Sequence, residues 1–134
     1  MLLDEVGTYL QTEGIGTLGT DLFKGFLPDL PDECVALIET GGQASEYVLS
    51  SAVGAPAWEA PSFQVTCRAG RRDYSTARTK ANDVFKKLDG LANTTLSSVR
   101  YFSISAIQAP FSMPRDEQER PILIFNCAVK KDVS

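Results

Sequence analysis

Histidine is absent from the 134 residues, which removes the imidazole that Ser-His and Cys-His nucleophile pairs and many zinc sites depend on. The other nucleophile candidates are Cys34, Cys67 and Cys127. Each lies in an apolar, strand-like run and none forms a Cys-x-x-Cys pair, so all three are expected to be free and buried. Carboxylates occur at Asp4 and Glu5, at Asp32 and Glu33, and at Asp116, Glu117 and Glu119. Acid/base catalysis needs two carboxylates that converge with separated pKa values, and this spacing points instead to solvated loop acids. Gly14–Gly19, GIGTLG, formally matches the Gly-x-Gly-x-x-Gly phosphate turn. That turn follows a strand and opens a helix, whereas here a helical pattern precedes it and TDLFKGFLPD follows, so it reads as a flexible turn. A small nucleotide-binding protein is the distant alternative. No catalytic, cofactor-binding or metal-ligating residue is expected, and the chain does not read as an enzyme.

The chemistry that remains is charge pairing. Net charge is −4, but up to Ala60 ten acidic residues face Lys24 alone, and from Pro61 onward twelve basic residues face seven acidic ones. Such a split suits head-to-tail association of identical copies, the acidic part of one meeting the basic part of the next; alternatively, the two halves interleave in space and cancel. Candidate contact residues are Arg71 and Arg72 before a helix, Arg78 and Lys80 on its basic flank, and Arg115, Asp116, Glu119 and Arg120 in a mixed-charge loop. Trp58, between Pro56 and Pro61, either covers the core or anchors a protein contact. Nucleic-acid binding, the other reading of a basic half, is disfavoured by the acidic net charge and because no compact basic run is longer than Arg71 and Arg72.

These residues need elements to position them. Phe63, Val65 and Cys67 alternate with polar neighbours, the period of a strand with one buried face. Tyr74, Ala77, Ala81, Val84, Phe85 and Leu88 recur at helical spacing, with Asp73 as N-cap and Gly90 as the stop. Leu2, Leu3, Val6, Tyr9 and Leu10 predict an N-terminal helix ending near Gly14. Leu18–Leu27 reads as an irregular strand and Cys34–Ile38 as a buried one. Val99–Ala109 is a strand with Phe102, Ile104 and Ala106 on one face, and Ile122–Val129 is another with Leu123, Phe125, Cys127 and Val129 on one face. Thr40–Pro61, Asn93–Ser98 and Gln108–Pro121 read as connections. The order α-β-β-β-α-β-β predicts one α+β domain over residues 1–134, with a mixed or mostly antiparallel sheet of about five strands flanked by an N-terminal and a central helix. No apolar run approaches the roughly 20 residues that span a bilayer. MLLDEVGTYL carries acids where a secretory signal needs a basic flank, so the chain is expected in a cytoplasm or in a particle assembled there.

ETGG at Glu39–Gly42, PSFQVTCRAGRRDYSTA with ANDVFKKLDG from Pro61 to Gly90, and SMPRDEQERPILIFNCAV from Ser112 to Val129 occur in this order. Together they resemble the minor capsid or tail terminator family of tailed bacteriophages. The resemblance implies a virion protein at the head-proximal end of the tail, in the neck, assembled in the host cytoplasm. It also implies a hexameric ring that caps the tail tube, stops its polymerisation and offers a surface for head joining. The implied partners are other copies of the chain, the tail tube protein and a head-completion or stopper protein. DNA would pass through the lumen without sequence-specific contact. A head-completion, stopper or adaptor protein of the neck is the alternative.

Overall fold

A computed structural model describes residues 1–46, 53 and 58–132. The chain forms α1 (Leu2–Thr12), β1 (Leu22–Lys24), β2 (Cys34–Glu46), β3 (Trp58–Arg68), α2 (Tyr74–Leu88), β4 (Leu91–Leu96), β5 (Val99–Ala106), β6 (Phe111–Met113) and β7 (Ile122–Lys131). The strands make one mixed sheet in the order β1-β2-β3-β7-β5-β4, with β6 also on β7. Among the named strands of the described residues, β1 and β2 are the one parallel pair. The α+β order read from the sequence therefore holds, with seven strands in place of about five.

Both helices are amphipathic and bury their stripes against the same face of the sheet. Leu2, Val6 and Leu10 of α1, spaced by four, are buried, as are Ala77, Ala81, Val84 and Leu88 of α2. They join Val35, Leu37, Phe63, Val65, Cys67, Leu123, Phe125, Cys127 and Val129 from the strands in one core. Each fully buried large apolar side chain contributes about 1.5–3 kcal/mol. Phe85 completes the α2 contact edge-on to Phe125, with ring centroids 5.6 Å apart. The sheet curls, since α1 touches β1 and β2 near one end of the strand order and β4 at the other. Gly7, a weak helix former by propensity, permits that closeness: a Cβ there would lie 3.2 Å from Leu18 Cδ2. Asp73 caps α2 by accepting from the Thr76 amide at 3.2 Å and the Thr76 hydroxyl at 2.7 Å.

Several local expectations are corrected. Thr40–Pro61 is strand at both ends: β2 runs on to Glu46, and Trp58 opens β3 instead of sitting in a loop; the remainder of that connection lies outside the described residues, apart from Val53 in a turn. Asn93–Ser98 is not a connection, because β4 extends to Leu96 and only Ser97 and Ser98, with φ of 48° and 68°, make the turn to β5. Positive φ at both positions is what a tight two-residue hairpin requires. β4 lies at the end of the sheet and buries only Leu96, so it lacks an apolar pattern. Phe102 does not share a face with Ile104. A register shift between Tyr101 and Ser103 buries Tyr101 with Ile104 and turns Phe102 away. Tyr74, assigned to the apolar side of α2, is exposed.

β5 and β6 read as one strand broken at residues 107–110. Both pair antiparallel with β7, β5 along Cys127–Lys131 and β6 along Ile122–Ile124. In the gap the Ile107 amide donates to the Asn126 carbonyl at 2.7 Å, and the Asn126 amide donates to Gln108 Oε1 at 3.0 Å. A side-chain amide thus replaces the missing backbone acceptor.

Candidate assembly surfaces

The three cysteines are free and buried. Burial pushes the thiols of Cys67 and Cys127 up to about 12, so neither is a thiolate near neutral pH. After the GIGTLG segment the chain continues into β1 through a bridge of Leu18 with Leu22, and no helix follows. The geometry that cradles a phosphate is therefore missing.

The charged residues singled out in the sequence fall into two sets. Arg71 and Arg72 clasp the loop between β6 and β7: Arg71 Nε and Nη2 donate to Glu119 Oε2 at 2.9 and 2.7 Å, and Arg72 Nη2 donates to Oε1 at 3.3 Å. The backbone seconds this, with the Arg72 amide on the Glu119 carbonyl at 3.0 Å. Hydrogen bonds from Arg71, then Arg72, hold the Glu119 carboxyl below its ordinary range. Arg120 lies deeper, its side chain 6% exposed, and reaches Asp116 at 2.7 Å, Asp29 at 3.0 Å and Asp32 at 3.1 Å. Burial pushes the Asp116 carboxyl up, but hydrogen bonds from the Arg120 backbone and side chain outweigh it and leave the group lowered. Arg68, projecting from β3, donates to the carbonyls of Pro31 at 2.7 Å, Asp32 at 2.9 Å and Asp29 at 3.2 Å. Two arginines thus pin residues 29–32 over one end of the sheet, on the face that the helices leave free.

Arg78 and Lys80 also act within the chain. Arg78 Nη1 donates to the Pro110 carbonyl at 2.7 Å, tying α2 to the break between β5 and β6, and Lys80 Nζ donates to the Ile15 carbonyl at 3.0 Å. Trp58 meets the Phe102 ring edge-on at 6.4 Å, and the Arg100 guanidinium lies over that ring, 4.8 Å from its centroid. The buried Nε1 of Trp58 has no acceptor among the described residues. Arg115 is exposed and has no ion pair among the described residues.

A second cluster has no counterpart in the sequence patterns. Glu5, Lys131 and Tyr101 meet between α1 and the ends of β7 and β5: Lys131 Nζ lies 2.9 Å from Glu5 Oε1, which also accepts from the Tyr101 hydroxyl at 2.7 Å. The Met1 amino group donates to Glu5 Oε2 at 2.8 Å. Burial pushes the Glu5 carboxyl up, but these hydrogen bonds outweigh it and hold it low. Burial, then the bond to Glu5, raises the Tyr101 phenol. The only signal in the sequence was the acid at position 5 of an amphipathic helix, one residue before the core position Val6.

The acidic and basic halves therefore interleave. Lys87 with Glu13, Arg120 with Asp29 and Asp32, and Lys131 with Glu5 all cross between them. On the free face of the sheet, Gly41, Ala60, Ser62, Ser103, Ser105 and Ala128 line a trough of about 360 Å³ beside the exposed Ile107. Next to α1, Leu2, Glu39 and Glu59 border a recess of about 280 Å³.

The geometry amounts to a curled sheet with two helices on one face, braced by ion pairs that tie its loops and its N-terminal helix in place. The chain belongs to the bacteriophage tail terminator protein family, whose model matches residues 9–133. This makes it a structural, tail-associated protein of the virion. Its fold is similar to that of a chain in the solved virion of a native gene transfer agent (GTA) particle, with a TM-score of 0.69 at 14% sequence identity, over 98% of this chain and 95% of that one. No curated protein matches the sequence.

Proposed function

We propose that this chain terminates the tail: copies assemble into a hexameric ring at the head-proximal end, stop polymerisation of the tail tube and present a surface for head joining. The family match over nearly the whole chain carries this reading. The ring would touch the tail tube protein on one side and a head-completion or stopper protein on the other, having assembled in the host cytoplasm. DNA would cross its lumen without sequence-specific contact.

The interleaved charges revise how copies would meet. A general attraction between an acidic and a basic half is weakened once four ion pairs cancel charge inside each copy. Among the candidate contact residues that remain at the surface, Arg71 and Arg72 share Glu119, and Arg115 has no ion pair within hydrogen-bonding reach among the described residues. Trp58, Arg78, Lys80, Asp116 and Arg120 would serve an interface by shaping it. Electron microscopy of the purified protein and of particles lacking it tests the reading. Termination predicts a six-fold ring and overlong or unfinished tails in its absence; filled heads that leak would assign the chain to the stopper position instead.

A further inference from the structure

We propose that neighbouring copies join by continuing the sheet: the outer edge of β2 beyond Leu37 in one copy pairs antiparallel with the outer edge of β6 in the next. This rests on the ring reading and names its contact. Four observations lead to it.

First, the two edges are open and lie on opposite sides of the sheet. β1 covers β2 only at Val35–Leu37, so from Ile38 to Glu46 β2 has β3 on one side and no strand on the other among the described residues. Across the sheet, β6 has β7 on one side and no strand on the other among the described residues. Unpaired amides and carbonyls of this kind are templates for another chain.

Second, the edges are staggered so that they can meet. Phe111 of β6 lies in one cross-strand row with Ile124, Thr66 and Ala36, the level at which β1 covers β2. The open part of β2 lies lower, in the row of Thr40, Ser62, Ala128 and Ser105, the level at which β4 covers β5. A second copy in the same orientation, displaced along the strands, brings its β6 to the open part of β2. Its β4 then passes beyond the end of β2, and the β1 of the first copy clears its β6.

Third, the polarity is right. β2, β3, β7 and β6 are joined by three successive antiparallel pairings, so β6 runs opposite to β2. Two copies in the same orientation therefore form an antiparallel ladder.

Fourth, the side chains match. Edges that must stay alone carry lysine, proline or inward charge. Between Ile38 and Glu46 there is no lysine, arginine or proline, and β6 exposes Phe111 (38%) and Met113 (42%). Pro110 and Pro114 bracket β6 and keep the ladder short. Glu39 and Glu59, without ion pairs among the described residues, border the recess where the open edge begins. In an antiparallel ladder the end of β6 that leads to Arg115 points toward Glu39. Because the two edges differ, each copy offers one of each, the heterologous geometry that closes into a ring when the rotation permits.

The test uses two variants that each add one exposed cysteine on the free face of the sheet, Gln43→Cys and Met113→Cys, since the three native thiols are buried. Mixed and treated with a short bis-maleimide, they should give covalent dimers on the order of 100-fold faster than either alone, because docking raises the effective thiol concentration toward millimolar. Arg115→Glu should lower that yield at low salt and Glu39→Arg in the other partner should restore it; thermal melts confirm that each variant is folded. Rings of the unmodified protein by electron microscopy, with no crosslinking above the single variants, would overturn the edge contact and leave the ring reading standing. Crosslinked open strings with no closed ring would support the edge contact and count against the ring. A protein that is monomeric and uncrosslinked at every concentration overturns both.

Discussion

Two charged clusters tie the first half of the chain to the second, and they do so under different dielectric conditions. Around Glu5 and Lys131 both side chains are inside, 5% and 1% exposed. Around Arg120 only the guanidinium is inside, while its partners Asp29 and Asp32 are 73% and 53% exposed. In the first case neither charge can be returned to water without opening the contact between α1 and β7. In the second, the Asp29 and Asp32 carboxylates are already more than half exposed, and only Asp116 is sheltered alongside the cation. A buried pair is a poor source of net stability but costly to break by halves, whereas an exposed pair is screened and contributes little either way. The Glu5 cluster therefore fixes how the N-terminal helix sits on the sheet, and the Arg120 cluster positions loops.

The largest effect expected is from Lys131→Met. It leaves the Glu5 carboxylate buried with Tyr101 and the Met1 amino group only, and should destabilise the fold by about 3 kcal/mol or more. Urea unfolding of the variant measures this. Glu5→Gln added to Lys131→Met should recover part of the loss, because it removes the stranded charge. A double variant less stable than Lys131→Met by the full cost of Glu5→Gln alone would show that the two residues do not interact, and the contrast with the Arg120 cluster would collapse.

Arg120→Ala is expected to cost less, about 1–2 kcal/mol, since hydrogen bonds to charged groups are lost but the Asp29 and Asp32 carboxylates left behind are more than half exposed, and Asp116 keeps the backbone amides of Gln118 and Arg120. The loss should concentrate in the 29–32 loop, so backbone amides there should exchange faster while those of β3 and β7 stay protected. Equal deprotection of the central strands would mean that the loop and core unfold together, and that Arg120 is as central as Lys131.

The two clusters also differ from the third charged contact in what the sequence discloses. Apolar periodicity located both helices and the inward faces of β3 and β7, and residue type located the N-cap at Asp73 and the stop at Gly90, one residue past the C-cap Asp89, because each is set by neighbours within a few residues. β4 and β6 were missed because they pack little against the core: Leu96 alone is buried in the first, and Phe111 and Met113 remain exposed in the second. The Arg120 cluster unites residues about 90 apart in sequence, and Glu5 meets Tyr101 at a separation of 96. No spacing rule reaches that far. Arg68 and Asp29 were invisible for the same reason, whereas Arg71, Arg72 and Glu119 stood out as charges in turns without revealing that they pair with each other.

Acid sharpens the comparison at smaller amplitude. The folded-state carboxyls of Glu5, Asp116 and Glu119 are all held low. A lowered carboxyl stabilises the fold fully above its unfolded value, about 4, and that contribution disappears as pH falls through the lower folded value. Stability should thus decline as pH drops below about 5, and it should be level just above that range because no imidazole is present to titrate. Lys131→Met should flatten the Glu5 share of the decline, and Arg120→Ala the Asp116 share. Urea midpoints at several acidic pH values in the three proteins distinguish these shares; parallel curves would assign the decline to other carboxylates.

The smallest effect on folding is expected from the double charge reversal Arg71→Glu with Arg72→Glu. Both arginines are more than half exposed and meet Glu119 at the surface, where ion pairs are screened and costly to order. The reversal should leave the melting temperature within the scatter of ordinary surface substitutions, while loosening the loop between β6 and β7 through repulsion of Glu119. That separation makes the variant informative. If particles carrying it assemble poorly although the isolated protein melts normally, the turn before α2 or the loop it holds takes part in an intersubunit contact. If assembly is normal at moderate salt, the Arg71 and Arg72 clasp is an internal brace, and the surfaces that join copies must be sought along the open edges of the sheet.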